Sequence, residues 1–219
     1  MPSRRAEPTR GTPSNDALAL APPPEPRSLT ERLGYVALRL FRWRVIGVRP
    51  TAPRFVIIVA PHTSNWDFPV GLACGYGAGL LSRWPYGFFI KAELFRGPFV
   101  PVFRALGGIP IDRSAPHEAV QRSVEILRQR ERYALVITPE GTRRRTEHWH
   151  SGFYHIARNA GVPVVPVCFD YGRRECRIGP GTALTGDIEA DLEVFRRFYA
   201  DPRARHPERF GPIRFRGAR

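Results

Sequence analysis

Phe55-Val-Ile-Ile-Val-Ala60 is a run of six residues with no polar side chain, rich in β-branched residues, and it stops at Pro61. A half-exposed strand would alternate polar and apolar positions; an unbroken apolar run of this length suits a strand buried on both faces of a parallel or mixed sheet. The pattern recurs along the 219-residue chain. Strands are predicted near 55–60, 88–91, 109–112, 134–138 and 164–169, with helical spacing between them over 64–81, 97–106, 117–130 and 153–160. Thr185-Gly186-Asp187 opens a last helix with Ile188, Leu192, Phe195 and Tyr199 on one face. This alternation predicts one α/β domain, a mixed, mostly parallel sheet flanked by helices.

The ends of the chain read differently. Residues 1–27 carry seven prolines and little that could build a core, so they are expected to be a disordered leader. Their one apolar run, 17–21, is far shorter than a signal-peptide core, and secretion is not expected. Over 28–44, Ser28-Leu29-Thr30-Glu31 is a capping-box pattern. Leu29, Leu33, Val36, Leu40 and Trp43 follow at helical spacing among Arg32, Arg39, Arg42 and Arg44. Such a basic amphipathic helix either lies on its own domain or rests in a membrane interface, arginines toward lipid phosphates. Residues 45–200 are the folded domain, and 201–219 a basic, frayed tail.

Lys and Arg number 34 against 20 Asp and Glu, a net charge of +14 that points to an anionic partner: nucleic acid, an anionic membrane surface or a phosphorylated substrate. No arginine stripe with interleaved aromatics and no recognisable nucleic-acid motif is present, so nucleic acid is not expected. Lys91 is the single lysine among 33 arginines. Cys74, Cys168 and Cys176 are odd in number and unpatterned in spacing; they read as small core residues in a reducing compartment, without disulfide or zinc framework. The longest apolar stretch, 68–81, is short of the roughly 20 residues of a spanning helix and holds four glycines. The chain is expected to touch a membrane without crossing it.

Open α/β sheets bind ligands beyond the carboxyl ends of their strands, and three polar elements fall at such ends. The first is Pro61-His62-Thr63-Ser64-Asn65-Trp66-Asp67. On one continuous helix His62 and Asp67 would lie about 140° apart, so they can meet only with His62 in the turn and Asp67 in the first helical turn. Asp67 would then orient the imidazole and leave its other nitrogen to act as general base. Ser64-x-x-Asp67 equally fits a helix cap in which Asp67 only satisfies backbone donors. The second element, Gly107-Gly108-Ile109-Pro110-Ile111-Asp112-Arg113, ends in an arginine able to clamp a phosphate or to neutralise Asp112. The third, Pro139-Glu140-Gly141-Thr142-Arg143, groups a carboxylate, a hydroxyl and a guanidinium on a glycine turn. The segment 147–155 holds His148, His150 and His155, but no metal site is expected there; an aromatic and basic surface beside the cleft fits better.

Taken in order, His62-x4-Asp67, Gly107 to Arg113, Glu140-Gly141-Thr142-Arg143 and Val162-Pro163-Val164-Val165-Pro166-Val167 resemble the four blocks of the glycerolipid acyltransferases, in particular the bacterial 1-acylglycerol-3-phosphate (lysophosphatidate) acyltransferase family. The resemblance spans 55–169. It implies an O-acyltransferase of phospholipid biosynthesis in which His62, oriented by Asp67, deprotonates the free hydroxyl of a lysophospholipid for attack on acyl-CoA or acyl-carrier protein, with no further cofactor. It further implies that Arg113 and Arg143 hold the acceptor phosphate, that Glu140, Gly141 and Thr142 shape the acceptor pocket, and that Lys91 faces the phosphate site. The expected setting is peripheral, at the cytoplasmic face of the cell membrane. Pro61, Thr63 and Arg144 depart from the family pattern, which bears on the acceptor, another lysolipid or an amino-acid lipid being the alternative.

Overall fold

The computed structural model describes residues 28–98, 100–111 and 115–217; the leader at 1–27 lies outside the described residues. Among these residues seven strands form one sheet: β1 (Arg44–Gly47), β2 (Arg54–Val59), β3 (Tyr86–Lys91), β4 (Gly108–Ile111), β5 (Tyr133–Ile137), β6 (Val164–Asp170) and β7 (Glu175–Ile178). Six α-helices cover it: α1 (Leu29–Phe41), α2 (Asp67–Gly77), α3 (Val100–Ala105), α4 (Pro116–Gln129), α5 (Gly152–Ala160) and α6 (Ile188–Tyr199). The strand order is β1-β7-β6-β2-β5-β3-β4. All neighbouring pairs are parallel except β6–β7, so the molecule is a single α/β domain with a mostly parallel sheet.

The apolar run of β2 explains itself in section. Val56, Ile58 and Ala60 enter one core with Leu135, Ile137, Val164 and Cys168, while Phe55, Ile57 and Val59 enter the other with Ala134, Val165, Val167 and Phe169. Side chains alternate across a strand, so a strand buried on both faces cannot have a polar position. The first core is dominated by interlocked rings. Phe153, 1% exposed, meets Trp149, Tyr154, Phe195 and Phe215 in edge-on contacts with centroids 5.8 to 6.5 Å apart.

That ring cluster corrects two expectations. Trp149, Phe153 and Tyr154 face inward, so the histidine-rich segment is no aromatic surface. Nor is the end of the chain frayed over 201–217: Ala204, Ile213 and Phe215 are buried, and the Trp149 backbone N–H donates to the Arg214 carbonyl at 2.8 Å. The strands β1 and β7 escaped prediction because each has four residues and carries charge; buried Glu175 of β7 is matched by Arg44 of β1 at 2.6 Å. The three cysteines are free and buried.

Helix α1 starts where the capping box predicts, the Ser28 hydroxyl accepting from the Glu31 N–H. It packs on α2 through Glu31, Gly34 and Leu38, where a Cβ on Gly34 would stand 2.6 Å from the Gly77 nitrogen. Only glycine permits this backbone approach. At 100° per residue Leu29, Leu33, Val36 and Leu40 lie about 150° around the helix from that contact. They are 59 to 73% exposed, so the apolar stripe does not rest on its own domain. No helix among the described residues is long and apolar enough to cross a membrane.

Replacing Phe153 by alanine removes the centre of the ring cluster and leaves a cavity. The expected cost is about 3 to 5 kcal/mol in denaturant unfolding, read by urea titration; a loss below about 1 kcal/mol would show that the cluster is not what holds the α5–α6 layer.

Candidate active site

Strand order and direction decide which residues meet. The carboxyl ends of β6, β2, β5, β3 and β4 lie side by side, and the chain leaves them at Tyr171, His62, Glu140, Lys91 and the segment leading to Arg113. Lys91 ends β3 opposite Ile111 of β4, its side chain falling outside what the structure describes, and Arg113 lies outside the described residues.

His62 follows β2 in the turn, and Asp67 is the first residue of α2. The His62 Nδ1 lies 3.0 Å from Asp67 Oδ2. That same oxygen accepts the backbone N–H groups of Thr63 and Ser64, both at 2.9 Å. One carboxylate thus meets both the imidazole and the backbone donors of the preceding turn, but it is not a helix cap: Asp67 is the first residue of α2, whose N-cap position, Trp66, makes no side-chain capping bond. Its Oδ1 accepts the Tyr171 hydroxyl at 2.7 Å. Asp67 is 3% exposed, and burial alone would push its carboxyl upward. The hydrogen bonds from His62, the Ser64 backbone and Tyr171, with the imidazole's charge, outweigh burial and hold it below the usual carboxylate range. An ionised carboxylate only accepts, so His62 Nδ1 carries a proton toward Asp67, and in the neutral imidazole the lone pair is on Nε2. The His62 side chain is 15% exposed, enough of an edge for a substrate hydroxyl to reach. The pair can act as a general base.

Glu140 is buried, and its Oε2 accepts the His62 backbone N–H at 2.5 Å, so this carboxylate fixes the His62 turn from β5. Burial pushes its carboxyl up to about 7; the His62 N–H works against that and the Asp67 charge adds to it. Gly141 has φ +64°, and a Cβ there would stand 2.7 Å from the His150 ring, which accounts for glycine in this turn. The Thr142 hydroxyl accepts the Arg144 N–H at 3.2 Å, shaping the loop, and Arg143 beside it is exposed. Among the described residues no group of three or more His, Cys, Asp or Glu side chains is arranged to hold a metal ion.

Two participants have contacts that are invisible in the sequence. Thr63, which reads there only as a departure from the family pattern, accepts the His206 N–H on Oγ1 and the Arg209 Nη1 on its carbonyl, both at 3.2 Å. Tyr171 reaches Asp67 from 104 positions away. No local spacing encodes either contact.

Glu140 makes a testable contribution to stability. Its carboxyl moves from 4.5 in the reference state to about 7 in the fold, so the folded state binds this proton more tightly. Its contribution is fully present below pH 4.5 and is lost as pH rises through 7. Subtracting the unfolding free energy of Glu140→Gln from that of the parent across this window should give a difference falling by on the order of 3 kcal/mol; a flat difference would place the proton elsewhere.

Comparison with known proteins comes to the same place. No curated protein matches the chain. The family model described as Acyltransferase matches residues 44–170, more than half of the chain, from β1 through the end of β6. With strands, turn and the His62–Asp67 pair all inside that span, the chain belongs to the Acyltransferase family.

Proposed function

We propose that this acyltransferase moves a fatty acyl group from acyl-CoA or acyl-carrier protein to the free hydroxyl of a lysophospholipid, 1-acylglycerol-3-phosphate fitting best. The observation that carries the reading is the 3.0 Å His62–Asp67 contact, with His62 Nε2 turned away from the carboxylate at the edge of the sheet. His62 Nε2 takes the proton of the acceptor hydroxyl as its oxygen attacks the thioester carbonyl. The C–O bond forms, the tetrahedral intermediate collapses, the C–S bond breaks and the imidazolium returns its proton to the leaving thiolate. Asp67 stabilises the imidazolium between the two transfers. No acyl-enzyme is needed. Lys91 at the end of β3, with Arg113 and Arg143 after β4 and β5, are the cations proposed for the acceptor phosphate, and Thr142 with Gly141 shapes the loop that carries Arg143.

Both substrates are amphiphiles, and the outward stripe of α1 supplies a means of reaching them. Leu29, Leu33, Val36 and Leu40 are exposed along one side, with Arg32, Arg39 and Arg42 on the same helix and cap. Apolar side chains immersed among acyl chains and guanidiniums at phosphates make a peripheral anchor on an anionic bilayer, proposed as the cytoplasmic face of the cell membrane.

Two experiments test this reading. Purified protein with labelled acyl-CoA or acyl-carrier protein and a panel of lysophospholipids should transfer acyl groups to lysophosphatidate, and His62→Ala or Asp67→Asn should lower the rate by about 100-fold or more. Transfer confined to another acceptor would overturn the substrate and keep the mechanism; undiminished transfer by His62→Ala would overturn the base. In vesicle sedimentation, Leu33→Asp with Leu40→Asp should weaken binding to phosphatidylglycerol-containing vesicles by at least about tenfold. Unchanged binding would remove α1 from the anchor.

A further inference from the structure

We infer that Tyr171 is a positioning residue for the acid–base pair, its phenol setting the rotation of the Asp67 carboxylate and thereby the aim of His62. The catalytic meaning of this inference rests on the reading just proposed, but the geometry stands without it. Asp67 Oδ2 takes three hydrogen bonds, from His62 and the backbone of Thr63 and Ser64, whereas Oδ1 takes its hydrogen bond from Tyr171 at 2.7 Å. A carboxylate gripped at one oxygen can pivot about its Cβ–Cγ bond; gripped at both it cannot, and its Oδ2 lone pairs stay aimed at the imidazole. Burial and the bond to Asp67 raise the pKa of the phenol, which keeps Tyr171 protonated and a donor at every working pH.

Tyr171 is itself held from three directions. Its backbone N–H donates to the Arg203 carbonyl at 2.9 Å. The Trp43 ring meets it edge-on, 5.2 Å between centroids at 89°, and the Arg205 guanidinium lies 5.6 Å from its ring centre. Trp43 directly follows the Arg42 cap of α1, and Arg205 sits in the same segment whose His206 and Arg209 hold Thr63. The segment that follows α1, the end of β6 and the last residues of the chain thus converge on one tyrosine, and two of the three lie outside the span matched by the family model. The ionisable groups facing the pair are His62 and Glu140 around Asp67, and Arg205 and Cys74 around Tyr171.

The test is Tyr171→Phe, which keeps the ring contacts and deletes only the donor. Losing a hydrogen bond to the ionised form makes the pair bind protons more tightly. The acid limb of the kcat profile should therefore move up by about half a pH unit or more, and kcat should fall about tenfold with both KM values within about twofold. The His62 ring titration, followed by NMR in the free full-length protein, should move in the same direction. An unmoved acid limb and an unmoved His62 titration would overturn the proposal, as would a change in KM alone. If the parent protein transferred no acyl group while the NMR titration still moved, the proposed reaction would fall and the positioning role would stand.

Discussion

A charge in the interior is costly unless hydrogen bonds replace its water, and Asp67 meets that condition with four donors. Those donors define the site. Two backbone N–H groups bend the chain after β2 into the turn that presents His62, the imidazole is drawn against the carboxylate, and Tyr171 closes the fourth direction from β6. Glu140 then holds the His62 backbone from β5. Two buried carboxylates on adjacent strand ends grip one histidine, one by its ring and one by its main chain, and their environments push them apart. Asp67 stays ionised well below neutrality while Glu140 takes up its proton near 7.

The sheet makes this convergence possible. Because β6, β2, β5, β3 and β4 are parallel neighbours, the loops that follow them open on one edge, and residues from Lys91 to Tyr171 arrive there without any being close in sequence. The final segment of the chain completes the arrangement from outside the sheet, binding Thr63 through His206 and Arg209 before it reaches the ring cluster at Phe215. A residue that departs from the family pattern is thus tied to a segment beyond the family's matched span.

Much of this was legible beforehand. The all-apolar run at Phe55–Ala60 announces a strand buried on both faces, since a side-chain period of two leaves no polar position when two cores lie above and below. The five-residue spacing of His62 and Asp67 announces a turn followed by a helix start, because no continuous helix brings them together. Helix 64–81 was too generous at both ends: residues before Asp67 are taken up in the turn that carries His62, and the helix stops at Gly77, just ahead of Gly79 with φ +68°. The contact of Glu140 with the His62 N–H has no signature in spacing, because only the adjacency of β5 to β2 brings that carboxylate to the turn.

The sequence by itself determined what is local or periodic: the α/β class, the double-faced strands, the cap at Ser28, the amphipathic pattern of α1 and the one local geometry in which His62 could meet Asp67. These follow from spacing along a chain of known helical and strand geometry. Tertiary structure decided which side of α1 is covered, since glycine at position 34 allows a backbone contact that turns the leucine stripe outward. It also decided that the charged strands β1 and β7 extend the sheet, that residues 201–217 pack, and that Tyr171 and Thr63 belong to the site. Each of these depends on contacts between residues far apart in the chain, whose geometry exists only once the sheet order has brought them together.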